Sequence, residues 1–140
     1  MNDLELAKSN LPGHTICLCK DKNLVFSEKR GISPMMGFIA DGIDLKGYSV
    51  ADLIVGKAVA MLFVKCGIIR VFAKTLSVSG KKILERHGID YEYETLTDKI
   101  INRDGTDVCP MEKTVANTED IEEGYKLLKD RLQTIKKDGN

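Results

Sequence analysis

The feature that most limits the fold is the stretch from Val50 to Glu94, where helical and extended apolar patterns alternate with only short polar or glycine-marked breaks. Val50 to Cys66 is apolar on nearly every side, with Asp52, Lys57 and Lys65 as its only charges. It stops at Gly67, a residue type favoured just past a helix C-terminus. The pattern predicts a buried helix. Ile68 to Ala73 follows as a strand, and Ser77-Val78-Ser79-Gly80 leads into a second helix from Lys81 to His87, stopped by Gly88. Ile89, Tyr91 and Tyr93 then alternate with Asp90, Glu92 and Glu94 as a half-exposed strand. Helix, strand, helix, strand with short connections requires a parallel strand pair joined by a right-handed crossover.

The flanking segments fit around that unit. Leu4, Leu6, Ala7 and Leu11 predict a short amphipathic helix before the Pro12-Gly13 break. Thr15 to Cys19 and Asn23 to Ser27 are β-rich runs separated by Lys20-Asp21-Lys22, close enough to pair as an antiparallel hairpin. Ser33-Pro34 reads as a helix N-cap followed by proline at the first helical position, with Gly42 near the end. A short helix is expected from Pro110. A final one, capped near Asn117-Thr118, carries Ile121, Tyr125, Leu128, Leu132 and Ile135 as one apolar stripe. The expected architecture is a single α/β domain over 1–140, with three α/β/α layers, a mixed sheet that begins with an antiparallel hairpin, and a frayed tail over 136–140.

Composition narrows the function. Lys plus Arg equals Asp plus Glu at 21 each, so no global field draws the chain to nucleic acid or anionic lipid. The basic pairs Lys81-Lys82 and Lys136-Lys137 lack interleaved aromatics, which also argues against nucleic acid. The uninterrupted apolar stretch from Ala58 to Val64 is far short of the roughly 20 residues a bilayer needs, so no membrane partner is expected. The start, Met1-Asn2-Asp3-Leu4-Glu5, lacks the basic and apolar regions of a signal peptide, and the cytoplasm is the default expectation. Four scattered cysteines fit reduced thiols better than a disulfide scaffold. Cys17 and Cys19 share a strand face, an arrangement able to donate to a soft metal. With no second Cys or His pair at ligand spacing, two small apolar side chains are the better reading.

Asn102 to Lys113 concentrates chemistry. Cys109 directly precedes Pro110, which sets its thiol at the positive end of a helix with Glu112 near the third position. Arg103 and Lys113 favour a thiolate there, whereas Asp104, Asp107 and Glu112 oppose one while offering proton transfer. The plainer alternative is a thiol packed at a helix start beside an ordinary Asp104-Gly105 turn.

The segment Asp52-Leu53-Ile54-Val55-Gly56-Lys57-Ala58-Val59-Ala60-Met61-Leu62, the strand from Gly67 to Lys74, Asn102-Arg103-Asp104-Gly105 and Cys109-Pro110-Met111-Glu112 resemble a small family of cytidine deaminase-like domains of unknown function that lack zinc motifs. The resemblance spans roughly Asn10 to Ile135. Zinc deaminases need a His or Cys ligand with a glutamate at the start of one helix, and a C-x-x-C pair at the start of the next. Here Val55-Gly56-Lys57 and Ser77-Val78-Ser79-Gly80-Lys81 stand in those places, so hydrolysis by a zinc-bound water has no ligands to rest on. The resemblance implies a cleft at two helix N-termini, which favour an anion.

The expectation is therefore a small nucleotide-like or anionic ligand, with no metal and no cofactor. Lys57, Ser77 and Ser79 would contact the anion, and Arg103, Asp104, Cys109 and Glu112 would line the other wall. If the protein is an enzyme, Cys109 is the nucleophile. The plain alternative has Ser79 only capping its helix while Lys57 reaches to the surface. A non-catalytic regulatory or interaction module is the competing expectation, and the resemblance carries a homo-oligomer as a further one.

Overall fold

One glycine divides what the sequence presents as one apolar run, and a second ends it. The computed structural model describes residues 1–138, with side chains through residue 135. In it the stretch expected as a single helix from Val50 is a strand, β3 (Ser49–Val55), then Gly56, then α3 (Lys57–Cys66). The physical reason is that β3, in the middle of the sheet, is buried on both faces over most of its length. It therefore reads as continuously apolar, like a buried helix, and only length and the glycine break tell them apart. Gly67, at φ 76°, ends α3 in the left-handed conformation, its amide reaching the Phe63 and Val64 carbonyls.

The other elements are α1 (Asp3–Ser9), β1 (Ile16–Lys20), β2 (Asn23–Ser27), α2 (Ser33–Ala40), β4 (Arg70–Ser77), α4 (Val78–Arg86), β5 (Asp90–Thr97), α5 (Pro110–Val115) and α6 (Ile121–Asp138). The tail expected to fray from Lys136 falls where side chains lie outside the described residues, although the α6 backbone is helical through Asp138. Strand order in the five-stranded sheet is β2-β1-β3-β4-β5. β1 pairs antiparallel with both β2 and β3, and β3, β4 and β5 run parallel. The sheet is thus mixed, with the expected N-terminal hairpin, and carries two crossovers where the sequence suggests one.

Helices flank both faces. Ala7 and Leu11 pack with Cys17, Cys19, Ala51 and Phe72 beneath α1. On the other face the larger core joins Ile16, Leu18, Val50 and Val71 to Met61, Leu62, Phe63, Ile83, Leu84 and Leu128 from α3, α4 and α6. α6 seats closely on α3, since a Cβ at Gly124 would lie 2.7 Å from the Met61 sulfur. Of the expected α6 stripe, Leu128 is fully buried, Ile121, Tyr125 and Leu132 border the core, and Ile135 is exposed.

Some caps differ from expectation. Ile32, not Ser33, is the N-cap of α2. The α6 amide of Glu123 is taken by Asp120 Oδ1, while Thr118 accepts from the Asp120 amide.

Candidate functional site

The strands β3 and β4 end side by side, so the helices that follow them start together. Val55 pairs with Leu76 at the ends of these parallel strands, and α3 and α4 begin one or two residues later. Gly56 and Gly80 make the close approach feasible. A Cβ on Gly80 would stand 3.0 Å from the Gly56 carbonyl carbon and 3.1 Å from the Val55 oxygen. At α4, Ser77 is fully buried and its Oγ accepts from the Gly80 amide at 2.9 Å. Ser77, rather than Ser79, is thus the N-cap. Ser79 is left half-buried with its hydroxyl 3.2 Å from that of Ser77.

The N-terminus of α3 is closed by the protein itself. Glu112 reaches from α5 to accept from the Lys57 amide at 2.8 Å through Oε1 and from the Ala58 amide at 2.7 Å through Oε2. A carboxylate at this position satisfies two of the amides that lack a partner within the helix and sits well in the helix dipole. Gly56 has no side chain because one would collide with this carboxylate and with Ile100, 2.9 Å away.

Lys57 is buried rather than extended to the surface. Its Nζ donates to the Ala116 carbonyl at 3.3 Å and pairs with Glu119 Oε1 at 3.1 Å. Arg86 holds the other oxygen of Glu119 at 3.0 Å. A cleft of about 520 Å³ opens over this arrangement, lined by Lys57, Val78, Ser79, Lys82, Arg86, Asp98, Lys99, Ile100, Val108, Glu112, Lys113, Ala116 and Glu119. Five cationic side chains face three carboxylates there. Lys57, Arg86 and Lys113 are engaged in ion pairs, Lys113 with Asp107. Lys82 and Lys99 take part in none among the described residues. The Lys113 ammonium and the Val108 amide hold the Asp107 carboxyl below the usual carboxylate range.

Lys57, Ser79 and Glu112 therefore meet in one cleft, with Ser77 directly beneath. Arg103, Asp104 and Cys109 are not part of its lining. Arg103 and Asp104 are exposed in a turn organised by Asn102, whose Oδ1 accepts from the Thr106 amide. Cys109 is a partly exposed free thiol at the N-cap of α5, its side chain making no capping bond, and the helix is only six residues long. Cys17 and Cys19 are fully buried, and burial pushes both thiols up, helped for Cys19 by Asp3. Among the described residues, no three His, Cys, Asp or Glu side chains are grouped to hold a metal ion. No helix among them is long and apolar enough to cross a membrane.

Arg86, Lys99 and Glu119 were not among the residues expected at a site, and Lys82 stood out only as half of a basic pair. Ser79, Lys82 and Arg86 recur at i, i+3 and i+7, which sets them on one helix face, so that signal was present. Lys99 and Glu119 lie in connections and carry no periodic signal.

A family model described as TM1506, domain of unknown function (DUF1893), matches residues 6–132. The chain belongs to the DUF1893 family. No curated protein matches this DUF1893 chain. Among solved structures it is similar to a DUF1893 family protein (TM1506) from Thermotoga maritima. The TM-score is 0.83 and the identity 24%, over 94% of this chain and 92% of that one. A diaminohydroxyphosphoribosylaminopyrimidine deaminase/5-amino-6-(5-phosphoribosylamino)uracil reductase from Thermotoga maritima is more remote. Its TM-score is 0.45 and its identity 18%, over 66% of this chain and 34% of that one.

Proposed function

We propose that this DUF1893 protein binds a small anionic, nucleotide-like ligand in the cleft between the N-terminal ends of α3 and α4. The observation that carries the reading is the charge left over there. Glu112 is committed to two backbone amides and Glu119 to two cations, which leaves Asp98 as the one other lining carboxylate against Lys82 and Lys99, and neither lysine forms an ion pair among the described residues. Ser79 adds a hydroxyl beside the first turn of α4, where the dipole favours negative charge. Val78, Ile100 and Val108 supply an apolar wall suited to a heterocycle.

The reading is of a deaminase-like domain without zinc chemistry. Where zinc deaminases carry ligands this chain has Gly56-Lys57 and Ser77 to Lys81, and the donor set for the metal does not fit. Glu112 acts as a helix cap in this reading, not as a proton carrier. Cysteine chemistry is not part of it, because Cys109 stands outside the lining.

A thermal-shift and calorimetric panel of nucleosides, nucleotides and sugar phosphates tests the proposal. A ligand that binds only the folded state raises Tm, and Lys82→Ala or Lys99→Ala should each weaken that ligand about tenfold. Phosphorylated members should shift Tm where the parent nucleosides do not. A panel that shifts nothing rejects the ligand and leaves the regulatory or interaction module as the reading.

A further inference from the structure

The two edges of the sheet are built differently. β5 carries Asp90, Glu92 and Glu94, all exposed, so a second copy of this edge would meet like charge. β2, Asn23-Leu24-Val25-Phe26-Ser27, has no charge and no proline within it, and Leu24 and Phe26 are 38% and 49% exposed. It lacks the devices that usually keep an edge strand from pairing.

The hairpin geometry fixes which backbone groups face outward. Asp21 and Lys22 form its two-residue turn with φ of 50° and 69°, both positive as a type I′ turn requires. Lys20 and Asn23 then exchange both ladder bonds, so Asn23, Val25 and Ser27 address β1. In keeping with this, the Ser27 carbonyl accepts from the Thr15 amide on the β1 side. The amides and carbonyls of Leu24 and Phe26 point away from the sheet, and no turn or cap among the described residues uses them.

We propose that two copies of this chain join through β2, antiparallel about a two-fold axis at Val25, making one continuous ten-stranded sheet from two five-stranded ones. Only in this register do the outward groups of Leu24 meet those of Phe26 from the second copy, twice by symmetry. The sequence is self-complementary about the same centre. Within the strand Leu24 faces Phe26, and Lys22, in the turn that closes the hairpin, lies at the end of the new ladder where Glu28 of the second copy follows its β2, so an apolar pair and a charge pair recur on both sides of the axis. His14 holds the surface ready. Its ring stacks on Phe26 at 4.3 Å between centroids, and its Nδ1 lies 3.0 Å from Glu28 Oε2, leaving Oε1 for a lysine of the second copy.

Sedimentation velocity of the full chain over a concentration series tests the proposal, with hydrogen exchange reporting on the edge. A monomer–dimer equilibrium is expected, with the Leu24 and Phe26 amides protected only in the dimer. Lys22→Glu and Glu28→Lys should each weaken the dimer about tenfold, two like-charge pairs replacing two attractive ones. The double variant should regain the original dimer, even though it leaves the His14 contact broken. Phe26→Pro, which removes an outward donor, should give a monomer with unchanged far-UV circular dichroism. A wild-type chain that stays monomeric, a dimer indifferent to the single reversals, or a double variant that does not recover would each overturn the proposal.

Discussion

Glu112 lies in α5, yet its carboxylate caps α3, holding the amides of Lys57 and Ala58 at 2.8 and 2.7 Å. The short helix after Cys109 is thereby tied to the start of the central crossover helix. Glu112→Ala should lower stability by about 2 kcal/mol in urea unfolding, because two amides at a largely buried helix start lose their acceptor. Glu112→Gln keeps one acceptor atom and should cost about half as much. An effect within error for both variants would show that water replaces the cap without penalty.

Gly80 separates α4 from the backbone at Val55 and Gly56. Its φ is not in the left-handed region, so alanine would ordinarily gain helix propensity of about 1 kcal/mol. Here the added methyl presses on backbone atoms at 3.0 to 3.1 Å, which cannot turn aside as a side chain can. Gly80→Ala is expected to destabilise by about 1–3 kcal/mol and to weaken any ligand of the cleft, since it spreads the two helix starts. Equal or higher stability on thermal denaturation would contradict this.

Asp52 is buried in the centre of the sheet, between Ile16 of β1 and Ala73 of β4, and forms no ion pair among the described residues. Burial pushes its carboxyl up to about 8, against the smaller opposing effect of the Ile54 and Leu53 amides, and Oδ1 accepts from Ile54 at 3.3 Å. Between the ordinary carboxylate range and about pH 8 the folded chain keeps a proton that the unfolded chain has released. Stability from this group is therefore full at acid pH and declines as pH rises, by about 1.4 kcal/mol per pH unit. Asp52→Asn should remove that decline. The difference in unfolding free energy between variant and wild type should grow in the variant's favour from pH 5 to 8, and a constant difference would mean that Asp52 is ionised when folded.

Three of the four thiols should separate by access. Cys109 is partly exposed, whereas Cys17 and Cys19 lie under α1 with their thiols pushed up by burial. Alkylation of the native protein followed by peptide mapping should label Cys109 early, and label Cys17 and Cys19 only once urea unfolds the chain. Early labelling of Cys17 would indicate that α1 opens readily. Loss of cleft binding on alkylation of Cys109 would bring the thiol back into the functional site.

The hairpin, the helix at Ser33-Pro34 and the parallel pairing of β4 with β5 were legible because turn residues, glycine stops and the two-residue alternation are local signals. β3 was not, since Val50 to Val55 is apolar on both faces apart from Asp52, and only its position between β1 and β4 makes it a strand. The meeting of Lys57, Ser79 and Glu112 was partly legible through the family pattern. Their bonds were not: which serine caps α4 and which cation Glu119 takes depend on distances across the sheet ends.

The sequence by itself determined an α/β chain with an N-terminal hairpin and a crossover joining parallel strands. Tertiary structure alone decided that the anion at α3 is the protein's own Glu112, some 55 residues away in the chain. It also set Lys82 and Lys99 on the cleft with no ion pair among the described residues. A carboxylate's role depends on what lies within hydrogen-bond reach, and residues so far apart in the chain come within reach only after the sheet has aligned the helices.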